Sequence, residues 1–379
     1  MTTMRVIIDE MLSPTPNGIS RYAEELTRAL IQYAPPGCSV EGIVSASTEQ
    51  EYAVIDERLP GLSNLYKTSL ARRELVSAWQ HGFTHLPGGG MVHAPSLLAP
   101  LGRHDRVNSA GQQIAVTIHD VVAWTHPQSL SARRISWHKA MARRAHKHAD
   151  AVVVPTHAVA DDLREILDFG DRVRVIGGAV SPRLVVPSDA DERADRLDLP
   201  ERYLLAMGGL ESRGGIEHVL AALALPGTTD LPLLVVGPDE SDGRSIAAAA
   251  AEAGLSEGRV TTLGHISDAD LSVVLDRAVL LVFPSLAEGF GMAVLEAFHF
   301  GTPVVHSDVP AVVEVAADAG ITVPIDDIEG YSERLAEAMT RVADDAELAA
   351  RLSTFGEDRA GLFGWQSAAE NVWQLHADL

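Results

Sequence analysis

One stretch constrains the fold more than any other: Val279–Val305, VLLVFPSLAEGFGMAVLEAFHFGTPVV. Val279 to Phe283 is a continuous apolar run, and a strand is apolar at every position only when both of its faces are covered. Pro284 and Ser285 end the run, and the turn Glu288-Gly289-Phe290-Gly291 follows. Val294, Leu295, Ala297 and Phe298 then recur at the spacing of a helix with one packed side. Gly301 stops that helix, and Pro303 forbids its continuation before Val304-Val305 resumes an apolar strand. The order strand, turn, helix, strand predicts a parallel sheet flanked by helices.

The same stretch is a candidate ligand site. A helix N-terminus presents N–H groups and partial positive charge to an anion, and glycines either side of Phe290 let a ligand approach the backbone. Glu288 in the turn and Glu296 two turns along supply carboxylates that accept hydrogen bonds from sugar or ribose hydroxyls. The plain alternative is that both are helix-start and surface acids favoured by the helix dipole.

The alternation extends along the whole chain. Strands are predicted at Met4–Asp9, Met91–His93, Ile114–Ile118, Ala151–Pro155 and Val173–Ile176, with helices at Ser20–Tyr33, Arg133–His148 and Val159–Leu167. Residues 34–90 carry no clear periodicity, with a loop at Pro87–Gly90, and residues 102–111 read as polar connection. Between Ser181 and Pro200 the composition turns to prolines and acids, which places a domain junction there. Beyond it, strands are expected at Tyr203–Met207, Leu233–Val236, Val260–Leu263 and Gly320–Val323. Helices are expected at Ile216–Ala224, Ser245–Ala253, Asp268–Arg277, Tyr331–Ala343, Asp345–Phe355 and Trp365–Leu379. The fold class is therefore α/β, with two doubly wound parallel-sheet domains of Rossmann-like type in 379 residues.

Charge narrows the partners. The formal net charge is −22, and residues 1–179 are balanced, so the second half carries the whole excess. Nucleic-acid backbones require clustered Lys and Arg, which argues against such a partner. Arg133–His148, RRISWHKAMARRAHKH, is the basic exception. It reads either as a solvated helix face or as a peripheral contact with an anionic membrane surface. The lone Cys38 fits a reducing cytoplasm, no apolar run reaches the roughly 18 residues a membrane span needs, and no signal-like apolar segment opens the chain. A cytoplasmic location, or the inner face of the cell membrane, is expected.

Several further residues face the expected crevice. In a parallel sheet the loop after the first strand and the C-terminal ends of strands line it. Gly18 is thus a candidate for close approach, while Asn17 and Ser20 are candidate helix caps. His119, at the end of the Ile114–Ile118 strand, is either a crevice histidine or one satisfied structurally by its neighbours. In GGLESRGGIEHV, Arg213 either meets a phosphate or pairs on the surface with Glu211 or Glu217. Asp189-Ala190-Asp191 and Asp268-Ala269-Asp270 lack convergent ligands, Asp268 being the expected cap of its helix, so no metal site is expected.

Together these segments resemble the retaining glycosyltransferases of family 4, over nearly the whole chain. The resemblance rests most specifically on PSLAEGFGMAVLEAFHFGTPVVHSDVPAVVEV, with two glutamates separated by seven residues. NGISRY, the strand ending in His119-Asp120, PTHAVADDL and the terminal GWQSAAENVW fit the same pattern. It implies the GT-B fold, two Rossmann-like domains facing a cleft. The N-terminal domain would span 1–180, completed by a C-terminal helix at about 363–379, and the donor-binding domain 181–362. It implies hexosyl transfer with retention of configuration from a nucleotide sugar, GDP-mannose favoured, to a saccharide or lipid-linked acceptor, without cofactor or metal. Catalytic roles fall to His119 and Glu288; donor binding to Gly18, Arg213, Gly289, Phe290, Gly291, Met292 and Glu296; the acceptor side to Arg21, Tyr22 and Asp120. Gly209 and Gly214 depart from the family, which usually has cations there. An inactive or weak homologue that binds sugar nucleotide or partners an active subunit is therefore the alternative. A dinucleotide-binding reading, from Gly289-x-Gly291 and Asp308, lacks the third glycine, since Val294 stands in its place.

Overall fold

The computed structural model describes residues 2–13, 18–84, 86, 90–104, 111–241 and 243–379. Asn17, Pro87–Gly89 and residues 105–110 lie outside them. The chain divides into two compact units, one of Met1–Gly178 with Gly364–Leu379, the other of Ala179–Phe363.

The first unit runs β1 (Thr2–Ile7), α1 (Gly18–Gln32), β2 (Cys38–Ala46), α2 (Glu49–Arg58), β3 (Asn64–Ala71), α3 (Arg72–His81), β4 (Met91–Ala94), β5 (Gln113–Thr117), α4 (Val122–Thr125), α5 (Ala132–His148), β6 (Ala151–Val154), α6 (His157–Ile166) and β7 (Val173–Val175). Its seven strands are ordered β3-β2-β1-β4-β5-β6-β7, and every pairing is parallel. The apolar run Ala151–Val154 is buried at every position, as a central parallel strand requires.

The second unit continues α7 (Ala190–Arg196), β8 (Leu204–Met207), α8 (Ile216–Leu223), β9 (Leu233–Val236), the hairpin β10 (Glu240–Ser241) and β11 (Arg244–Ser245), α9 (Ile246–Glu252), β12 (Val260–Gly264), α10 (Asp268–Arg277), β13 (Leu280–Phe283), α11 (Met292–His299), β14 (Val304–Ser307), α12 (Pro310–Ala316), β15 (Ile321–Val323), α13 (Tyr331–Asp344) and α14 (Ala346–Ala360). Its parallel sheet is ordered β12-β9-β8-β13-β14-β15. β13 and β14 are buried throughout, as are Val294, Leu295, Ala297 and Phe298 of α11. The last helix, α15 (Trp365–Asp378), returns to the first unit, where Trp373 Nε1 donates to Leu30 O of α1 at 3.2 Å.

Two regions differ from the sequence-based expectation. Residues 34–90 hold β2, α2, β3 and α3. β3 is the edge strand and only half-buried, so its apolar pattern is diluted. The acidic junction holds α7, which buries only Ala194 and is tied instead by ion pairs, Arg193 with Asp189 at 2.8 Å and Arg193 with Asp270 at 2.8 Å. A helix held by charge shows no apolar stripe. The cap of α10 is Ser267, which accepts from Asp270 N at 3.1 Å, and Asp268 lies in the first turn.

Candidate functional site

In an open parallel sheet, ligands bind beyond the carboxyl ends of the strands at the point where strand order reverses. In the second unit this point lies between the adjacent strands β8 and β13. The loop after β8 carries Gly208–Gly215 with Arg213, and the loop after β13 carries Pro284–Gly291 with Glu288. Topology therefore explains why residues 75 positions apart in the chain meet (288 − 213).

Backbone carbonyls accept most of the bonds that join them. Leu286 N donates to Arg213 O at 2.7 Å, and Arg213 Nη1 donates to Ala287 O at 3.2 Å. Ser307 Oγ donates to Ser285 O at 2.5 Å, and Tyr331 donates its hydroxyl to Pro284 O at 3.2 Å. Gly215 is left-handed at φ +72°, and a Cβ there would come 2.2 Å from Pro284 O, so only glycine permits this approach. Arg213 stands 3.6 Å from Glu288 Oε1, and Ser285 Oγ reaches the same oxygen at 3.3 Å. Of the two readings of Arg213, the surface pair with Glu211 or Glu217 is not formed among the described residues: its carboxylate neighbour is Glu288, while Glu217 pairs with Arg244.

Gly291 is the N-cap of α11, left-handed at φ +87°, and Met292 opens the helix. Gly289 and Phe290 are buried, Phe290 with its ring edge-to-face on Phe363 at 5.9 Å. Glu296 is 3% exposed, which removes the surface-acid reading, because a carboxylate is buried only with polar compensation. Glu288 keeps a quarter of its side chain open at the turn. A Cβ at Gly209 would lie 2.9 Å from Pro238 Cγ, and one at Gly214 would lie 3.0 Å from Gly209 O. Neither position takes a Cβ without a shift of its neighbours.

In the first unit the order reverses between β1 and β4. A cavity of about 500 Å³ lies there, lined by Glu10 after β1, Ser96 after β4, His119 and Asp120 after β5, and side chains of α3 and α5. Arg72 pairs with Asp9 and with Glu10, the latter at 2.7 Å, and Ser96 Oγ donates to Glu10 Oε1 at 2.9 Å. His119 Nε2 lies 2.7 Å from Pro95 O, which places the ring proton on Nε2. Both readings of His119 therefore hold, since it is satisfied by backbone and lines the cavity. Burial pulls its pKa below the ordinary value, against weaker upward effects of Pro95 O, Asp120 and Glu10. The imidazole is neutral near pH 7. Asp120 Oδ1 accepts from Val122 N at 3.0 Å.

Tyr22, 4% exposed, meets His119 edge-to-face at 4.8 Å, and burial drives its hydroxyl pKa upward. Arg21 is half-buried in the first turns of α1. α1 begins at Gly18, so Ser20 lies inside the first turn and is not its N-cap. Gly18 is exposed, and a Cβ there meets nothing within 4 Å. Arg73, Arg133, Arg134, Trp137 and His138 also line the cavity. Sequence reading missed their convergence, and strand order is the signal that joins α3 and α5 to His119. Among the described residues no group of three or more His, Cys, Asp or Glu could hold a metal ion, and no helix is long and apolar enough to cross a membrane.

Two parallel-sheet units, each with polar groups gathered where its strand order reverses, define an α/β protein built to hold a ligand at strand ends. The model for "Glycosyltransferase Family 4" matches residues 16–184 and that for "Glycosyl transferases group 1" matches 188–359. The chain belongs to this family of GT-B glycosyltransferases. It is 27% identical over 273 residues to O-antigen chain mannosyltransferase B of Escherichia coli, covering 68% of each chain. It is 27% identical over 345 residues to the MMP alpha-(1->4)-mannosyltransferase of Mycolicibacterium hassiacum, covering 82% of this chain and 79% of that one. Other matched mannosyltransferases are covered over as little as 27% of their length. Sucrose-phosphate synthase of Thermosynechococcus elongatus shares the fold with a TM-score of 0.73 at 22% identity, over 100% of this chain and 99% of that one.

Proposed function

We propose that the chain is a retaining hexosyltransferase that takes a mannosyl group from GDP-mannose and passes it to a saccharide or lipid-linked acceptor, with no metal required. The observation that carries the reading is the pair of carboxylates on one glycine-capped turn and helix, Glu288 partly open and Glu296 buried. The mannosyl preference draws on the mannosyltransferases to which the chain is similar.

In this reading Glu288 bonds hydroxyls of the donor sugar and Glu296 bonds the ribose. The backbone at Gly289, Phe290, Gly291 and Met292 approaches the sugar and diphosphate, with Arg213 as a further diphosphate contact, and Gly18 is assigned to donor binding. The anomeric C–O bond to the diphosphate breaks, a C–O bond to the acceptor forms on the same face, and the acceptor proton passes to the diphosphate. Preorganised donors aimed at the charge growing on that diphosphate supply most of the stabilisation. His119, neutral and bonded through Nε2, is assigned a catalytic role, with Arg21, Tyr22 and Asp120 assigned to the acceptor. A peripheral contact of α5 with an anionic membrane is part of the same proposal.

The test is release of nucleoside diphosphate from a panel of nucleotide sugars, with configuration at the anomeric carbon read by NMR. Release from GDP-mannose with retention supports the reading; inversion, or no release from any donor, removes it. A second reading, a sugar-nucleotide-binding homologue without turnover, is favoured by the crowding that any side chain would meet at Gly209 and Gly214. Donor binding without release identifies that case.

A further inference from the structure

We infer that the cavity of the first unit takes a saccharide carrying a phosphate, with Arg73, Arg133 and Arg134 holding the anionic group at its rim. This rests on the glycosyltransferase reading and names the acceptor class for it. The rim comes from two helices, Arg73 from α3 and Arg133 and Arg134 from the start of α5. All three side chains are exposed, and none has a carboxylate at ion-pair distance among the described residues. Arg28, Arg193, Arg196, Arg244 and Arg277, by contrast, sit on carboxylates. Arg72, the fourth arginine of the cavity, is already neutralised by Asp9 and Glu10. The rim therefore keeps a positive excess that its own protein does not discharge.

The interior is of another kind. Asp120, Glu10 and Ser96 on the floor are hydroxyl-binding groups, and Trp137 Nε1 is a buried donor with no partner among the described residues. A guanidinium fork matches phosphate geometry, whereas carboxylates and serine match sugar hydroxyls. A ligand with an anionic end at the rim and a hydroxyl-bearing body inside satisfies both. A volume of about 500 Å³ suits a sugar or two. The phosphate could belong to a free sugar phosphate or to a lipid-linked saccharide; the recognition chemistry is the same.

The test uses the full chain and calorimetric titration with a hexose 6-phosphate, the uncharged hexose and inorganic phosphate, at low and high salt. The hexose phosphate is expected to bind at least about tenfold more tightly than either fragment, with Arg73→Gln, Arg133→Gln and Arg134→Gln each removing about tenfold. Arg143→Gln, an exposed arginine on α5 that does not line the cavity, is the control and should change binding less than about twofold. Equal affinity for hexose and hexose phosphate overturns the inference, as does inorganic phosphate binding as tightly as the hexose phosphate. An Arg143→Gln effect equal to the others overturns it in favour of a general basic surface. Displacement of the hexose phosphate by a lipid-linked diphosphosaccharide in detergent micelles assigns the lipid source, and its absence assigns the soluble one. Donor binding and diphosphate release are measured on the same samples. Their loss indicts the glycosyltransferase reading, whereas their survival without phosphate preference indicts only this inference.

Discussion

The two units solve the same topological problem with different materials. Both gather a site where strand order reverses, between β1 and β4 in the first and between β8 and β13 in the second. In the second the site is built by backbone: Gly215 lies against Pro284 O, Leu286 N bonds Arg213 O, and Gly291 caps α11. In the first it is built by side chains: Arg72 bridges Asp9 and Glu10, Ser96 bonds Glu10, and His119 leans on Pro95. A backbone-built site suits an invariant ligand such as a nucleotide sugar, and a side-chain-built site can change specificity without disturbing the fold. Each unit should therefore be fragile at a different kind of contact.

The largest effect is expected from the carboxylates of the second unit. Glu288→Gln keeps shape and removes charge, and should lower transfer by about 10²–10³-fold, the scale of losing one preorganised transition-state contact. Glu296→Gln should weaken donor binding by about 10–100-fold, the range for a charged hydrogen bond. Steady-state kinetics with melting curves check both. A fall in melting temperature that accounts for the loss would mean that the buried Glu296 acts structurally.

Next comes a paired glycine test of the backbone-against-side-chain contrast. Gly215→Ala places a Cβ on Pro284 O in a left-handed conformation and should destabilise the chain by about 2–4 kcal/mol. Gly18→Ala, in open space at the start of α1, should change stability by less than about 1 kcal/mol. Urea midpoints report both, and equal shifts would break the comparison.

Acid should distinguish the first unit through a feature with no counterpart in the sequence reading. His376 of α15 and His93 of β4 lie ring nitrogen to ring nitrogen at 3.4 Å, and His376 Nδ1 is 3.2 Å from Gln113 Oε1. Burial lowers both pKa values, that of His376 to about 4 and that of His93 well below the ordinary 6.5. The folded pair is neutral, so as pH falls the unfolded chain takes up protons first. The contribution of His376 is complete above about pH 6.5 and is lost between there and about pH 4, a change of about 3 kcal/mol, and His93 acts in the same direction. His376→Gln should flatten that slope in a stability-against-pH series; an unchanged slope would assign the acid sensitivity elsewhere.

How legible this was depended on the kind of force involved. Strands buried on both faces, such as Leu280–Phe283 and Ala151–Val154, announce themselves as apolar runs, and the Gly291 and Gly301 boundaries of α11 follow from glycine geometry. The edge strand β3 and the charge-tied helix α7 were illegible because neither buries an apolar face. Within the site, Glu288 and Glu296 were readable because they lie on one local motif. The meeting of Arg213 with Glu288, and of Arg73 and Arg133 with His119, depends on strand order, which no local pattern encodes. His93 and His376 are far apart in sequence and meet only because α15 returns to the first sheet.

The smallest expected effect concerns Arg213, proposed above as a diphosphate contact. Its contact with Glu288 at 3.6 Å is long and partly exposed, so Arg213→Gln should cost less than about 0.5 kcal/mol of stability. Its guanidinium is nevertheless the cation of the Gly208–Gly215 turn, and Ala287 O and Glu288 fix its direction. The same variant should therefore weaken donor binding by about tenfold while leaving the melting temperature in place. Gly214→Lys adds a cation to that turn, yet its Cβ would crowd Gly209 O at 3.0 Å and Glu211 O at 3.2 Å, so the backbone must yield before the ammonium can help. Gly214→Lys in the Arg213→Gln background should recover less than half of the lost affinity. Full recovery would show that the turn accepts a cation at either position, and that the unit depends on charge more than on backbone shape.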